Sequence, residues 1–164
     1  TVVGEDHSSL KLSALLQMTF PGAPSIYYGD EVGLMGAMDP DCRRGFPPEA
    51  AWDQDLLDHY RTLIALRHDH PALRVGDYQV LFTEGLVYVF CRRLGADSHL
   101  EADCRTVIVA VNADTITATT AAFTLPAAIS NPLRRLYGQG SLTQSGSGKT
   151  GILTIPARAG LVLG

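Results

Sequence analysis

Midway along this chain the hydrophobic period changes, and that change limits the folds open to it. Up to Pro71 the apolar residues recur at helical spacing on either side of one short β-favouring run. Leu12, Leu15, Leu16, Met18 and Phe20 share a broad face, with Ser8 or Ser9 as the expected N-cap and Pro21-Gly22 as the stop. Residues 23–28 are nearly continuous in apolar character, the pattern of a parallel strand buried on both sides. Asp53 is placed to cap a second helix carrying Leu56, Leu57, Tyr60, Leu63, Ile64 and Arg67, which Pro71 ends. From about Val75 short strand-like runs follow one another at 78–82, 86–90, 106–111, 115–125, 152–155 and 161–163. Gly85, Asn112-Ala113-Asp114 and Gly138-Gln139-Gly140 punctuate them as turns, and 140–151 is expected to be an exposed Ser/Gly-rich loop.

Strands with no helices between them predict an antiparallel sandwich. The first half reads differently. One parallel strand between two helices cannot bury its own edges, because such strands need neighbours on both sides. That half is therefore expected to be the last part of a larger α/β domain, giving a division at 1–73 and 74–164.

Composition removes several classes of function. Hydrophobic residues are 46% of the 164, enough for a packed core. A net charge of −4, with lysine only at 11 and 149, offers nothing to nucleic acid. No apolar run approaches the ~20 residues of a membrane-spanning helix. Cys42, Cys91 and Cys104 are odd in number and lack Cys-x-x-Cys spacing, which predicts neither a disulfide framework nor structural zinc, but reduced thiols in the cytoplasm. Residues 1–9 lack the basic start and apolar stretch of a signal peptide. The absence of an initial Met suggests processing or a fragment.

Chemistry concentrates in residues 21–44, PGAPSIYYGDEVGLMGAMDPDCRR. The strand-like run ends at Gly29 before Asp30 and Glu31, and a glycine-punctuated loop carries Asp39, Asp41, Arg43 and Arg44. Strands that open into charged loops are how α/β barrels present side chains at their functional face. Asp30 and Glu31 suggest a catalytic pair, but adjacent strand residues point to opposite faces and cannot flank one bond. Asp39 and Arg43 are better placed to grip the polar groups of a ligand, as acceptor and planar donor; the competing reading is an ion pair that only shapes the loop. Asp41 and Arg44 are expected to be structural. Tyr27, Tyr28 and Trp52 could stack on a flat ligand face, but the two tyrosines read better as core and Trp52 as a packing anchor. His68-Asp69-His70 lacks a third ligand at metal-site spacing and fits a helix end. Residues 146–150, GSGKT, resemble a phosphate loop, yet Thr143 stands where the motif needs glycine and a strand follows where it needs a helix.

The run PGAPSIYYGDEVGL resembles the eighth-strand segment of the α-amylase superfamily, glycoside hydrolase family 13. DPDCRR, residues 39–44, resembles its neopullulanase, cyclomaltodextrinase and maltogenic amylase branch. The resemblance implies helix 7, strand 8 and helix 8 of a (β/α)8 TIM barrel, then a β-sandwich closing on residues 156–163. It implies a retaining hydrolase of maltodextrins, cyclodextrins or pullulan, in which Asp39 and Arg43 contact a donor-side glucose. Tyr28, Asp30 and Glu31 would then support the site. It also implies that the three catalytic acids, two of them about 5–5.5 Å apart across the scissile bond, follow earlier strands and lie before Thr1. Nothing matches the family's Asn-His-Asp motif, so this chain alone is expected to be inactive. Its expected partners are an α-glucan oligosaccharide and the rest of the barrel, with no cofactor or metal assigned. Two alternatives are a free-standing sugar-binding or structural sandwich, and a transglycosylase of the same superfamily.

Overall fold

The computed structural model describes residues 6–100, 105–126, 129, 133–145 and 149–164. Helix α1 (His7–Thr19), helix α2 (Gln54–Asp69) and the short helix α3 (Pro71–Val75) come first. Eight strands follow: β1 (Asp77–Glu84), β2 (Val87–Arg93), β3 (Thr106–Asn112), β4 (Thr119–Thr124), β5 (Arg135–Gly138), β6 (Ser141–Ser145), β7 (Thr150–Ile155) and β8 (Ala159–Leu163). They form a five-stranded sheet in the order β1-β2-β3-β8-β5 and a three-stranded sheet in the order β4-β7-β6. Every pairing is antiparallel.

Three layers result, and β3 shows why. All seven of its residues are buried. Val107, Val109 and Val111 pack with the helices, against Leu15, Leu63 and Leu73. Ile108 and Ala110 point the other way, into a second core with Phe123, Leu153 and Ile155 of the smaller sheet. A continuous apolar run, which usually marks a parallel strand, here marks an antiparallel one covered on both faces. The helices thus share a core with the sandwich.

Local chemistry sets the boundaries, with four departures from expectation. Asp6, one turn earlier than Ser8 or Ser9, caps α1 by accepting from the Ser9 N–H at 3.1 Å. Asp53 caps α2 as expected, accepting from Leu56 N–H at 3.0 Å. Pro71 does more than end α2: it opens α3 at the first helical position, where its missing N–H costs nothing. Strand β4 starts at Thr119 because Asp114 Oδ1 accepts from the N–H groups of Ile116 and Thr117, both at 2.8 Å, and folds 114–117 into a turn.

The fourth departure is in the Ser/Gly-rich region. Residues 141–145 are strand β6, paired with β7 from Ser141↔Thr154 to Ser145↔Thr150. Strand β5, also unanticipated, lies in the other sheet. Gly138 (φ +84°) and Gly140 (φ +122°) take the chain between the two, and a Cβ on Gly138 would sit 1.9 Å from the Gly160 carbonyl oxygen. Residues 146–148 of the phosphate-loop lookalike and Cys104 lie outside the described residues.

Two buried arginines tie the helices to the sheet. Arg92 on β2 is 1% exposed and donates to the carbonyls of Thr19 and Leu73, both at 2.8 Å, and of Gly76 at 2.9 Å. Arg67 on α2 donates to Met18 at 2.7 Å, Leu73 at 2.9 Å, Phe20 and Gly22. The last carbonyls of α1 have no partner within their own helix, and these guanidiniums supply it. Burial lowers both pKa values, and each lies near another cationic arginine.

Candidate functional site

The charged loop hangs between two fixed ends. Residues 23–27 carry no strand pairing, contrary to the parallel strand expected there. A parallel strand exists only through neighbours, and the antiparallel strands of this chain pair elsewhere. The run is instead held by Gln17, whose side-chain amide donates to Ser25 O at 2.6 Å, and by Ile26, which packs on the helical core.

Gly29, at φ +93°, then turns the chain into a 3₁₀ turn over Asp30–Val32. A Cβ there would meet Leu34 Cδ2 at 2.6 Å, so only glycine satisfies both the backbone and the packing. Glu31 folds back to accept from the Gly29 N–H at 2.8 Å. Asp30 is half-buried; desolvation, then the Glu31 charge, raises its carboxyl pKa above the usual range. Tyr60, buried on α2, is pushed up to about 12 by its own burial and then by the charges of Asp30 and Glu31. The Asp53 N–H donates to Val32 O at 3.1 Å, which fixes this turn to the α2 cap.

Beyond Gly33 the loop is built on its own charges. Asp41 Oδ2 accepts from Ala37 N–H at 2.7 Å, and Asp41 takes the Arg44 guanidinium in a two-pronged pair at 2.7 Å on each prong. The pair lowers the Asp41 pKa and raises that of Arg44. Gly36 approaches Cys42 so closely that a Cβ would lie 2.7 Å from its Cα. Tyr28 closes the frame by donating to Arg44 O at 3.0 Å. Asp41 and Arg44 thus have the structural role expected of them.

Asp39 and Arg43 lie outside that frame. Their single contact is 3.2 Å, Arg43 Nη2 donating to Asp39 Oδ2, with the side chains 62% and 69% exposed. An open pair this weakly engaged leaves most of its donors and acceptors for another molecule. Of the supporting set, Tyr28 reaches this loop through Arg44, whereas Glu31 and Asp30 shape the turn before it. Tyr27 and Tyr28 are 54% and 42% exposed, with ring centroids 4.8 Å apart, where core positions were expected. Trp52 is an anchor: its indole N–H donates to Pro47 O at 2.9 Å and Phe46 meets it edge-on. Among the described residues no group of three metal-binding side chains converges, and no helix is long and apolar enough to cross a membrane.

His59, to which the sequence attached no pattern, is a buried link. Its Nε2–H donates to Lys11 O at 3.0 Å, so Nδ1 accepts from Tyr137 OH at 2.8 Å. Burial lowers its pKa and keeps the ring neutral. The missed signal was spacing: positions 56, 59, 60, 63 and 67 form one helical stripe, so His59, like the Arg67 already placed on it, had to face the core.

No protein-family model matches the chain. Individual proteins do, and their names are amylopullulanase, cyclomaltodextrinase, neopullulanase and maltogenic α-amylase. The chain is homologous to members of the α-amylase superfamily. Within it, the homologues are those of the neopullulanase, cyclomaltodextrinase and maltogenic amylase branch. It is 47% identical over 88 residues to an amylopullulanase of Thermoanaerobacter thermohydrosulfuricus, a match covering 52% of this chain and 6% of that protein. It is 48% identical over 80 residues to a cyclomaltodextrinase of a Bacillus species, covering 48% of this chain and 14% of that one. The solved debranching enzyme of Nostoc punctiforme is 46% identical at a TM-score of 0.85, over 99% of this chain and 32% of that one. The chain therefore spans about a third of that structure and smaller shares of the curated relatives.

Proposed function

We propose that this chain is the C-terminal portion of a retaining α-glucan hydrolase, contributing one wall of the substrate cleft and not the bond-breaking acids. In this reading residues 1–73 end a (β/α)8 barrel, with α1 and α2 as its last two helices and 23–28 as its last strand. Residues 74–164 are the following sandwich. The reading is carried by one observation: nearly the whole chain superposes on a third of the debranching enzyme, at an identity that leaves no doubt of common descent. The unpaired run at 23–27 and the uncovered tyrosines after it support an edge completed by further strands.

The chemistry is division of labour. A retaining glycosidase needs a nucleophile and an acid/base about 5–5.5 Å apart. Asp30 and Glu31 sit in one tight turn with Glu31 engaged by backbone, so they supply no such pair. Asp39 and Arg43 present an acceptor and a planar donor at the exposed end of a braced loop, suited to neighbouring hydroxyls of one glucose. The free thiols of Cys42 and Cys91 support a reducing, cytosolic setting.

The alternative of a free-standing sandwich is opposed by the shared core. Removing the helices would bare Phe90, Val107, Val109, Val111 and Val162. The test is a chimera in which this chain replaces its counterpart in a cyclomaltodextrinase. The chain alone is expected to release no sugar from maltodextrin, and the chimera to hydrolyse it. Turnover by the chain alone, or a folded but inactive chimera, would overturn the reading.

A further inference from the structure

A second cavity, of about 550 Å³, lies away from the charged loop, where α1, α2 and the ends of β5 and β8 meet. Leu12 and Leu15 form its apolar floor, and Lys11, Asp58, Thr62 and Gln139 stand around it. None of these residues belongs to the Asp39–Arg43 loop. The size falls within the ~300–1,000 Å³ of small-molecule sites.

The walls are fixed by bonds that the cavity's own groups make. Tyr137 is held through His59 to the Lys11 carbonyl. Lys11 pairs with Asp55 and Arg158 with Asp6 at 3.0 Å, while Asp58 meets Arg61 in an open, exposed pair at 3.2 Å. Every wall charge is therefore matched by a neighbour, and the cavity as a whole presents no net charge to a ligand. Arg158, at the rim, is the one non-glycine among the described residues with positive φ, +50°. Such backbone persists where the surroundings fix it, and it concentrates at binding sites. A charge-balanced cavity with polar side chains around an aliphatic floor suits a neutral polyol better than an ion or a lipid.

We propose that this cavity holds a neutral sugar, one or two glucosyl units of an α-glucan, as a site separate from the Asp39–Arg43 loop. The identity of the sugar as α-linked glucose rests on the function proposed above; the polyol chemistry does not. Such a site would keep a long substrate near the enzyme between turnovers, raising its effective concentration.

Maltotriose titration followed by backbone amide shifts tests this on the full chain. Shifts are expected at Lys11, Gly138, Gln139 and Gly160, saturating with a dissociation constant on the order of 1 mM. They should persist in the double variant Asp39→Ala/Arg43→Ala. Thr62→Trp, which fills the mouth, should weaken binding at least about tenfold, and Gln139→Ala gives the same readout if the tryptophan disturbs folding. Shifts confined to residues 33–46, or absent, or unmoved by both cavity variants, overturn the site while leaving the hydrolase reading intact. Equal shifts with cellotriose uphold the cavity and overturn its assignment to α-glucan.

Discussion

Replacing Arg92 by methionine should unfold this protein well before any surface change does. The substitution keeps the length and most of the volume of the side chain but removes every donor. Three carbonyls are affected, and they are not equivalent. Leu73 O keeps its bond from Arg67 at 2.9 Å, whereas Thr19 O and Gly76 O lose the donor that Arg92 provides. A buried acceptor left without its partner costs about 1–3 kcal/mol, and the Gly76 carbonyl is only part-buried, so the two give about 2–5 kcal/mol. Part is returned, because the variant no longer buries a charge beside Arg67 and no longer strands the Arg92 Nε, which has no hydrogen-bond partner among the described residues. A net loss of about 2–4 kcal/mol follows. With a urea slope of about 2 kcal/mol/M the unfolding midpoint falls by ~1–2 M.

Two companion variants separate this account from general core damage. Arg92→Lys keeps the charge but has one nitrogen where Arg92 uses two, so it should recover less than half of the loss. In Arg67→Met/Arg92→Met the Leu73 carbonyl loses both donors, and the double variant should cost about 1 kcal/mol more than the sum of the singles. A midpoint within about 0.3 M of wild type for Arg92→Met would refute the reasoning. Full rescue by lysine would show that charge, not the fork, joins helices to sheet.

Other consequences are open to measurement. In the active chimera Asp39→Ala and Arg43→Ala should each lower kcat/KM by about 10–100-fold on maltodextrin, the size of one lost charge-assisted hydrogen bond; unchanged kinetics would assign the pair to loop shape alone. Gly138→Ala should cost at least about 2 kcal/mol, since a Cβ adds both a positive-φ penalty and a clash with Gly160 O, and a fully stable variant by thermal melting would contradict that register. Stability should also fall as pH drops from 7 towards 5: burial lowers the folded His59 pKa below the ordinary 6.5, so the unfolded chain binds the extra proton. Urea midpoints at the two pH values, compared with His59→Gln, measure this; an equal acid loss in the variant would move the cause elsewhere. Asp53→Ala should cost about 1 kcal/mol by removing the α2 cap.

What the sequence made legible follows from the range of the interactions involved. The two long helices, the Asp53 cap and most strands rest on periodicity and on short-range hydrogen bonds, which neighbouring residues report. Strand β6 did not show because Ser141-Leu142-Thr143-Gln144-Ser145 has the composition of a loop and is a strand only through β7, whose Leu153 and Ile155 do the burying. The run at 23–28 is the converse case: its residues favour a strand, but a ladder needs a second chain segment, and among the described residues none pairs with it. The site divides the same way. A glycine-punctuated loop with Asp39, Asp41, Arg43 and Arg44 clustered in six positions, and a structural role for Asp41 and Arg44, were readable because a loop of this size makes its own contacts. Arg92 and His59 were not, since their partners lie 73 and 78 residues away in Thr19 and Tyr137. Polar residues on an apolar stripe were the available sign. In this fold such residues mark where helices are fastened to sheet, and that fastening sets the two ends from which the charged loop hangs.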